Sequence, residues 1–168
     1  ADVWATDISP GALMVAQDNA RALQADNIHF LVSDWYKSLP TGERFHLIVS
    51  NPPYIAEGDP HLVEGDLRFE PVDALTDHAD GLSDLRTIIA GAARHLAPGG
   101  WLLLEHGYDQ AAAVRALDAW SPQWVVRYRR TPLCPTDAAG EGGGEGGVVE
   151  FHVHTGEGEE EGEGERAR

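Results

Sequence analysis

Short apolar runs and regularly spaced apolar positions take turns along most of this chain. Ile28 to Val32, Phe45 to Ser50 and Trp101 to Glu105 are compact runs, each about the length of a buried strand. Asp2 to Thr6 reads as the end of another. Leu13, Ala16, Ala20 and Leu23 recur at helical spacing, and so do Leu85, Ile88, Ile89, Ala92 and Leu96. Ser9 and Pro10 suit the N-cap and first turn of the first helix. Pro98-Gly99-Gly100 suits a stop after the second. A third helix is predicted over Asp109 to Trp120, with Val114 and Leu117 facing inward. Gln123 to Arg129 and Val148 to His154 read as strands. In the latter, Val149, Phe151 and Val153 alternate with Glu150, His152 and His154. The alternation of strands and helices predicts an α/β fold on a parallel sheet, with the last two strands as an antiparallel addition.

Three stretches break the pattern. From Ile55 to about Asp80 the chain is polar and rich in Gly, Asp and Pro, which predicts a long loop; loops of that length are usually functional. Ala138 to Gly147 is a Gly/Glu linker, and Gly156 to Arg168 is an acidic Gly/Glu tail. Neither holds enough apolar surface to offset its ordering entropy, so both are expected to be disordered. One domain over residues 1–155 follows, with the linker 138–147 inside it and the tail 156–168 outside.

Composition narrows the possibilities. With 168 residues and 42% hydrophobic content, the chain is long enough for one domain with its own core. No apolar run approaches a membrane span, and the start, Ala1 to Asp7, lacks the basic segment of a signal peptide. The single cysteine, Cys134, fits a reducing cytoplasm and offers no cysteine-based metal site. Of the net charge of −16, residues 140–168 carry −7 (nine Glu, two Arg), leaving −9 on the rest. Free nucleic acid is repelled by such a body, so the balance favours a protein or small-molecule substrate.

The chemistry concentrates where strands end. Asn51-Pro52-Pro53-Tyr54 follows the run Phe45 to Ser50 directly. Pro52 and Pro53 have fixed φ and no N–H, so this turn presents carbonyls without competing donors. The Asn51 side chain adds an acceptor and Tyr54 a flat aromatic face. Two acceptors and a stacking face suit an amino group attached to a π-system. As an ordinary strand-to-loop turn, the same four residues are about equally expected. Asp7, Asp34, Asn51 and Glu105 all fall at or just past strand ends, where ligands bind in parallel α/β sheets. Asp7 stands where a carboxylate accepts from ribose hydroxyls, while Asp34 and Trp35 suit an adenine amino group and ring. His61 and His106 are candidates for substrate contact with no assigned role, as is Glu70. His152 and His154 share a strand face but lack a third metal ligand. Arg127, Arg129 and Arg130 read as a solvated strand end.

Several motifs together resemble one family. Asn51-Pro52-Pro53-Tyr54-Ile55, Gly65-Asp66-Leu67-Arg68-Phe69-Glu70-Pro71, Asp80-Gly81-Leu82 and Leu96-Ala97-Pro98-Gly99-Gly100 follow in the order seen in the HemK/PrmC release-factor glutamine methyltransferases. Ser33-Asp34-Trp35 and Leu104-Glu105-His106-Gly107 match the same pattern, and the resemblance spans about residues 2–120. It implies a class I, Rossmann-like fold that uses S-adenosylmethionine. The implied activity is methylation of the glutamine amide nitrogen in the Gly-Gly-Gln motif of peptide-chain release factors, by a cytoplasmic monomer without a metal. By resemblance, Asp7, Trp35 and Asn51 contact the methyl donor, with Asp34 as a weaker carry-over. Asn51, Pro52, Pro53 and Tyr54 hold the glutamine, and Asn51, Pro52 and Tyr54 form the catalytic set.

The chain also departs from the family pattern. The helical N-terminal domain, the first strand and its Gly-rich turn are not in these residues, and the Gly/Glu tail is foreign to it. The expectation is a sheet lacking its first strand, and a chain that is poorly stable, binds S-adenosylmethionine weakly or not at all and shows no measurable transfer. Other readings stay open: an amino-methyltransferase acting on RNA or DNA bases, a sister enzyme acting on a ribosomal-protein glutamine, or an inactive derivative serving as an interaction domain.

Overall fold

The computed structural model describes residues 1–63, 69–107, 109–117, 124–130 and 147–153. Its elements in chain order are β1 (Val3–Asp7), α1 (Pro10–Ala22), β2 (Ile28–Val32), β3 (Phe45–Ser50), α2 (Ser83–His95), β4 (Leu96–His106), α3 (Ala111–Leu117), β5 (Trp124–Arg130) and β6 (Gly147–Val153). The linker up to residue 146 and the tail lie outside the described residues, as do residues 118–120 at the end of the predicted third helix.

The strands form two ladders rather than one sheet. β1 and β2 pair in parallel, and β3, β4, β6 and β5 form a four-stranded sheet in that order. β3 and β4 are parallel, and β6 runs antiparallel to both β4 and β5. β5 therefore points the same way as β3 and β4, and the last strand alone opposes its neighbours. Among the described residues β1 pairs only with β2, and β3 only with β4, so each keeps one edge without a ladder. Leu47 and Val49 on β3 are exposed, as are Val3 and Val32 on the two-stranded ladder.

The core lies between α2, α3 and one face of β4. Leu85, Ile88, Ile89 and Ala92 of α2 meet Leu96, Leu102 and Leu104 of β4 and Val114 of α3. Helical spacing on one side and period-two spacing on the other bring these residues to one seam. On α1, Ser9 caps the first turn by accepting from the Ala12 N–H (3.3 Å), and Pro10 follows at the first helical position. Leu13 and Ala20 are buried there, whereas Leu23 is exposed, because the helix ends at Ala22 before its stripe reaches that position. Pro98-Gly99-Gly100 does not simply follow the second helix. It lies inside β4, where a step of two residues on β3 (Phe45 to Leu47) faces a step of five on β4 (Leu96 to Trp101).

Trp35 and Tyr36 join the two ladders. Both pack against the core of the larger sheet. The Tyr36 hydroxyl donates to the Ile88 carbonyl of α2 (3.0 Å), and its ring stacks on His95 with centroids 4.7 Å apart. Gly91 makes room for that ring: a Cβ there would sit 2.5 Å from two of its carbons. Burial raises the pKa of the Tyr36 phenol.

Candidate active site

Three loops meet beyond the carboxyl ends of β2, β3 and β4, and they are tied together by side chains rather than by a ladder. After β2, the buried Ser33 hydroxyl donates to the Trp35 carbonyl (2.8 Å) and accepts from the Ser38 N–H (3.0 Å). This tight turn holds Trp35 at φ +50°. A bulky residue in the left-handed region carries strain on the order of 1–3 kcal/mol, which persists only where surrounding bonds fix it. The Trp35 side chain lies near Asp84 in the first turn of α2, close enough to lower its pKa. Burial, followed by the Asp77 charge, raises the Asp84 pKa, and the nearness of Trp35 opposes the rise.

Asp77 organises the start of α2 from outside the helix. Its Oδ1 accepts from the Ala79 and Gly81 N–H groups (2.9 Å each), and its Oδ2 accepts from the Ser83 N–H (2.8 Å). The helix has no side-chain cap at Leu82, so this carboxylate satisfies donors that the helix end leaves open. Asp80 forms a bidentate pair with Arg86 (3.0 and 2.7 Å), and the hydrogen bond from that guanidinium holds its carboxyl below the usual range.

The turn after β3 is held mainly through Tyr54. Asn51 is exposed, Pro52 is buried, and Pro53 and Tyr54 are half-buried. The Asn51 carboxamide makes no hydrogen bond to another described residue. The Tyr54 ring packs against the core, and its hydroxyl donates to Glu105 Oε1 on β4 (3.2 Å). Burial first, then the Glu105 charge and hydrogen bond, push the Tyr54 phenol up to about 12. Tyr54 is therefore a neutral donor at physiological pH and no candidate for a general base. The long loop that follows is pinned at both ends. The Ile55 N–H donates to the Leu75 carbonyl and the Glu57 N–H to the Ala79 carbonyl (3.0 Å each). Short 3₁₀ turns at Pro60–Val63 and Val72–Ala74 lie within this loop, and residues 65–68 of the Gly65-to-Pro71 motif lie outside the described residues.

The titration of Tyr54 is directly testable. The folded chain holds the phenolic proton more tightly than an ordinary tyrosine of pKa 10.0. Its contribution to stability is therefore complete below pH 10 and lost as pH rises through 10 to 12. Tyrosinate absorbance, assigned by difference against Tyr54→Phe, should show ionisation near 12. Glu105→Gln should lower that value while burial keeps it above 10. An unchanged titration in the Glu105 variant would show that the carboxylate does not act on Tyr54.

The other expected residues fall as follows. Asp7 is exposed at the end of β1; its Oδ1 accepts from the Ser9 N–H (2.7 Å), and its carbonyl accepts from the Ser33 N–H (3.0 Å). Asp34 pairs with Lys37 at the surface (2.6 Å). His106 is fully buried, with Nδ1–H donating to the Gly107 carbonyl (2.6 Å), so it is out of reach of a substrate. Its alternation with Leu102 and Leu104 on the core side of β4 was the signal that pointed there. Hydrogen bonds thus link Asp7, Ser33 and Trp35 on one side, and Asp77 with Gly81 and Tyr54 with Glu105 on the other. Asn51 stands beside these groups without bonding to them. Sequence reasoning did not single out Asp77, Asp84 or Gln110, because a solvated carboxylate or amide in a loop has the same local pattern.

The described residues contain no cluster of three or more His, Cys, Asp or Glu placed to hold a metal ion. No described helix is long and apolar enough to cross a membrane. A shallow depression of about 250 Å³ between α1 and the amino end of β2, lined by Gln17, Arg21 and Phe30 among others, is remote from the strand ends that form the candidate site.

An exposed carboxylate, a strained tryptophan and a proline-locked turn thus lie at the strand ends of an α/β sheet. The chain belongs to the methyltransferase domain family, whose model matches residues 1–142. It is 62% identical over 122 residues to a release factor glutamine methyltransferase of Burkholderia pseudomallei, covering 70% of this chain and 43% of that protein. A namesake from Xylella fastidiosa is 59% identical over 117 residues, covering 70% of this chain and 42% of that protein. The chain therefore spans less than half the length of these relatives. Among solved structures, TrmN from Thermus thermophilus matches with TM-score 0.59 at 22% identity, covering 90% of this chain and 36% of that one. A methyltransferase from Pyrococcus furiosus matches with TM-score 0.60 at 16% identity, covering 92% and 64%. At these identities the structural matches speak for the Rossmann-like class I methyltransferase fold alone.

Proposed function

We propose that this chain carries the catalytic residues of a methyltransferase that uses S-adenosylmethionine to methylate the N5 of a glutamine side chain in the Gly-Gly-Gln motif of peptide-chain release factors. The observation that carries the reading is the turn after β3, an exposed Asn51 carboxamide next to a Tyr54 held from two sides. The names of the relatives at 62% and 59% identity support the release factor as substrate. We take the protein to act in the cytoplasm as a monomer.

The residues present suit the methyl donor chemically. The exposed Asp7 carboxylate is an acceptor for ribose hydroxyls, and Trp35, in the turn that Ser33 holds, offers a face for the adenine with Asp34 beside it. When bound, the donor supplies an electrophilic methyl group on a sulfonium, which provides the driving force. The chain has to make a poor nucleophile usable, because an amide lone pair is delocalised into its carbonyl. The Asn51 side-chain oxygen and the Pro52 carbonyl accept the two N–H bonds of the glutamine amide and aim its nitrogen. The same bonds stabilise the positive charge that develops there. Pro53 keeps the turn rigid and free of competing donors, and Tyr54 sets the amide plane. Orientation of this kind lowers a barrier by as much as about 7–11 kcal/mol. No strong base is needed when the proton leaves after transfer, in keeping with a neutral Tyr54.

Transfer of labelled methyl to a release factor, a ribosomal protein and an adenine-containing RNA, compared side by side, tests the proposal. Transfer to the release-factor glutamine should dominate. Preferential labelling of RNA would replace the reading with a base amino-methyltransferase.

A further inference from the structure

We propose that Gln110 is the positioning residue of the Asn-Pro-Pro-Tyr turn, its carboxamide fixing the Tyr54 backbone against the ends of β4 and α2. The proposal rests on the functional reading of that turn and extends it to a residue outside the motif.

The turn has an unusual problem. Pro52 and Pro53 have no N–H, so the backbone at the reactive position cannot be held by donating hydrogen bonds. Groups that donate to its carbonyls therefore join the packing and hydroxyl bond of Tyr54 in placing it. Gln110 does this: Nε2 donates to the Tyr54 carbonyl (2.8 Å) and to the Gly81 carbonyl (3.1 Å). Its Oε1 accepts from the Gly107 N–H (2.8 Å). Two carbonyls on one side and one N–H on the other define the amide orientation, since a flipped amide would set oxygen against two oxygens. The side chain therefore joins three loops, those after β3 and β4 and the one leading into α2.

The base of this brace is itself fixed. The Gln110 N–H donates to the Gly107 carbonyl (3.0 Å), and the Gln110 carbonyl accepts from Val114 in α3 (2.9 Å). Gly81 lets the loops approach: at φ +77°, a Cβ there would sit 2.5 Å from the Tyr54 carbonyl oxygen and 2.7 Å from Gln110 Nε2. Tyr54 is thus gripped at its carbonyl by Gln110 and at its hydroxyl by Glu105. Asn51 lies three residues upstream on the same proline-stiffened turn, so a shift at Tyr54 is passed to the acceptors that aim the substrate nitrogen.

The test compares Gln110→Ala and Gln110→Glu with the parent 168-residue chain. The Glu variant keeps an acceptor for Gly107 and loses both donations. Amide hydrogen exchange should rise about tenfold or more at Ile55 and Glu57 in both variants, while Leu102 and Leu104 in β4 keep their protection. Gly107 should lose protection in the Ala variant only. In a chain carrying ahead of Ala1 the residues that precede the matching stretch in the Burkholderia relative, with the methyl donor saturating, the rate of transfer to a release factor should fall roughly 10- to 100-fold in both variants, with KM for the release factor within about threefold. Unchanged exchange at Ile55 and Glu57, or an equal rise at Leu102 and Leu104, would overturn the assignment. So would parent-like transfer by Gln110→Glu. If that extended parent transfers nothing to a release factor, the functional reading of the turn falls, and the exchange pattern alone still decides whether Gln110 holds it.

Discussion

In a chain extended to the length of its relatives, replacing Asn51 with alanine should cut methyl transfer by roughly 10²- to 10³-fold, the loss seen when one preorganised transition-state hydrogen bond is removed. Asn51 is exposed at the end of β3 and contributes nothing to the core, so the variant should melt as the parent does. Its carboxamide bonds to no other described residue, so the substitution orphans no partner among them. The effect should fall on the rate of transfer, because an acceptor that meets positive charge developing on nitrogen acts mainly in the transition state. Turnover of a release factor within a few-fold of the parent would remove Asn51 from the mechanism. An equal loss of stability would assign it to the fold instead.

The second large effect concerns the two open ladder edges. β1 and β3 each end the ladder on one side, and Leu47 and Val49 are 52% and 67% exposed. These edges are wet, so the deficit is unburied apolar area rather than desolvated backbone. Covering a Val or Leu side chain contributes about 1.5–3 kcal/mol, less the entropy of ordering the segment that covers it. Consider a chain in which residues 1–168 follow the residues that precede the matching stretch in the Burkholderia relative. It should melt about 5–15 °C higher and bind S-adenosylmethionine about tenfold tighter or more. The affinity gain follows because Asp7, Trp35 and Asn51 sit on two ladders that Trp35 and Tyr36 join. Open apolar edges also favour strand-to-strand association, so the melting of residues 1–168 should depend on concentration. Calorimetric titration and thermal melting of both chains decide the matter. Equal affinity and equal melting would show that the edges are not what limits this protein.

Sequence by itself determined the order of strands and helices, most of their bounds and the apolar seam of α2 and β4. Those are local consequences of period and capping: Ser9-Pro10 starts a helix wherever it falls, and alternation at Leu102 and Leu104 commits one face of a strand. It also marked Asp7, Trp35 and the Asn-Pro-Pro-Tyr turn, because strand ends and paired prolines are visible along the chain. Tertiary structure alone decided what holds these residues in place. The bond from Gln110 to Tyr54 spans 56 residues, and the ring of Tyr36 settles on a helix 52 residues onward. No local pattern encodes such contacts. The structure likewise turned Pro98-Gly99-Gly100 into an irregular stretch of β4, since pairing with Phe45 and Leu47 on β3 outweighed the breaker residues. It also buried His106, which the chain alone presented as available, because the strand runs one residue beyond its apolar run and carries the imidazole into the core.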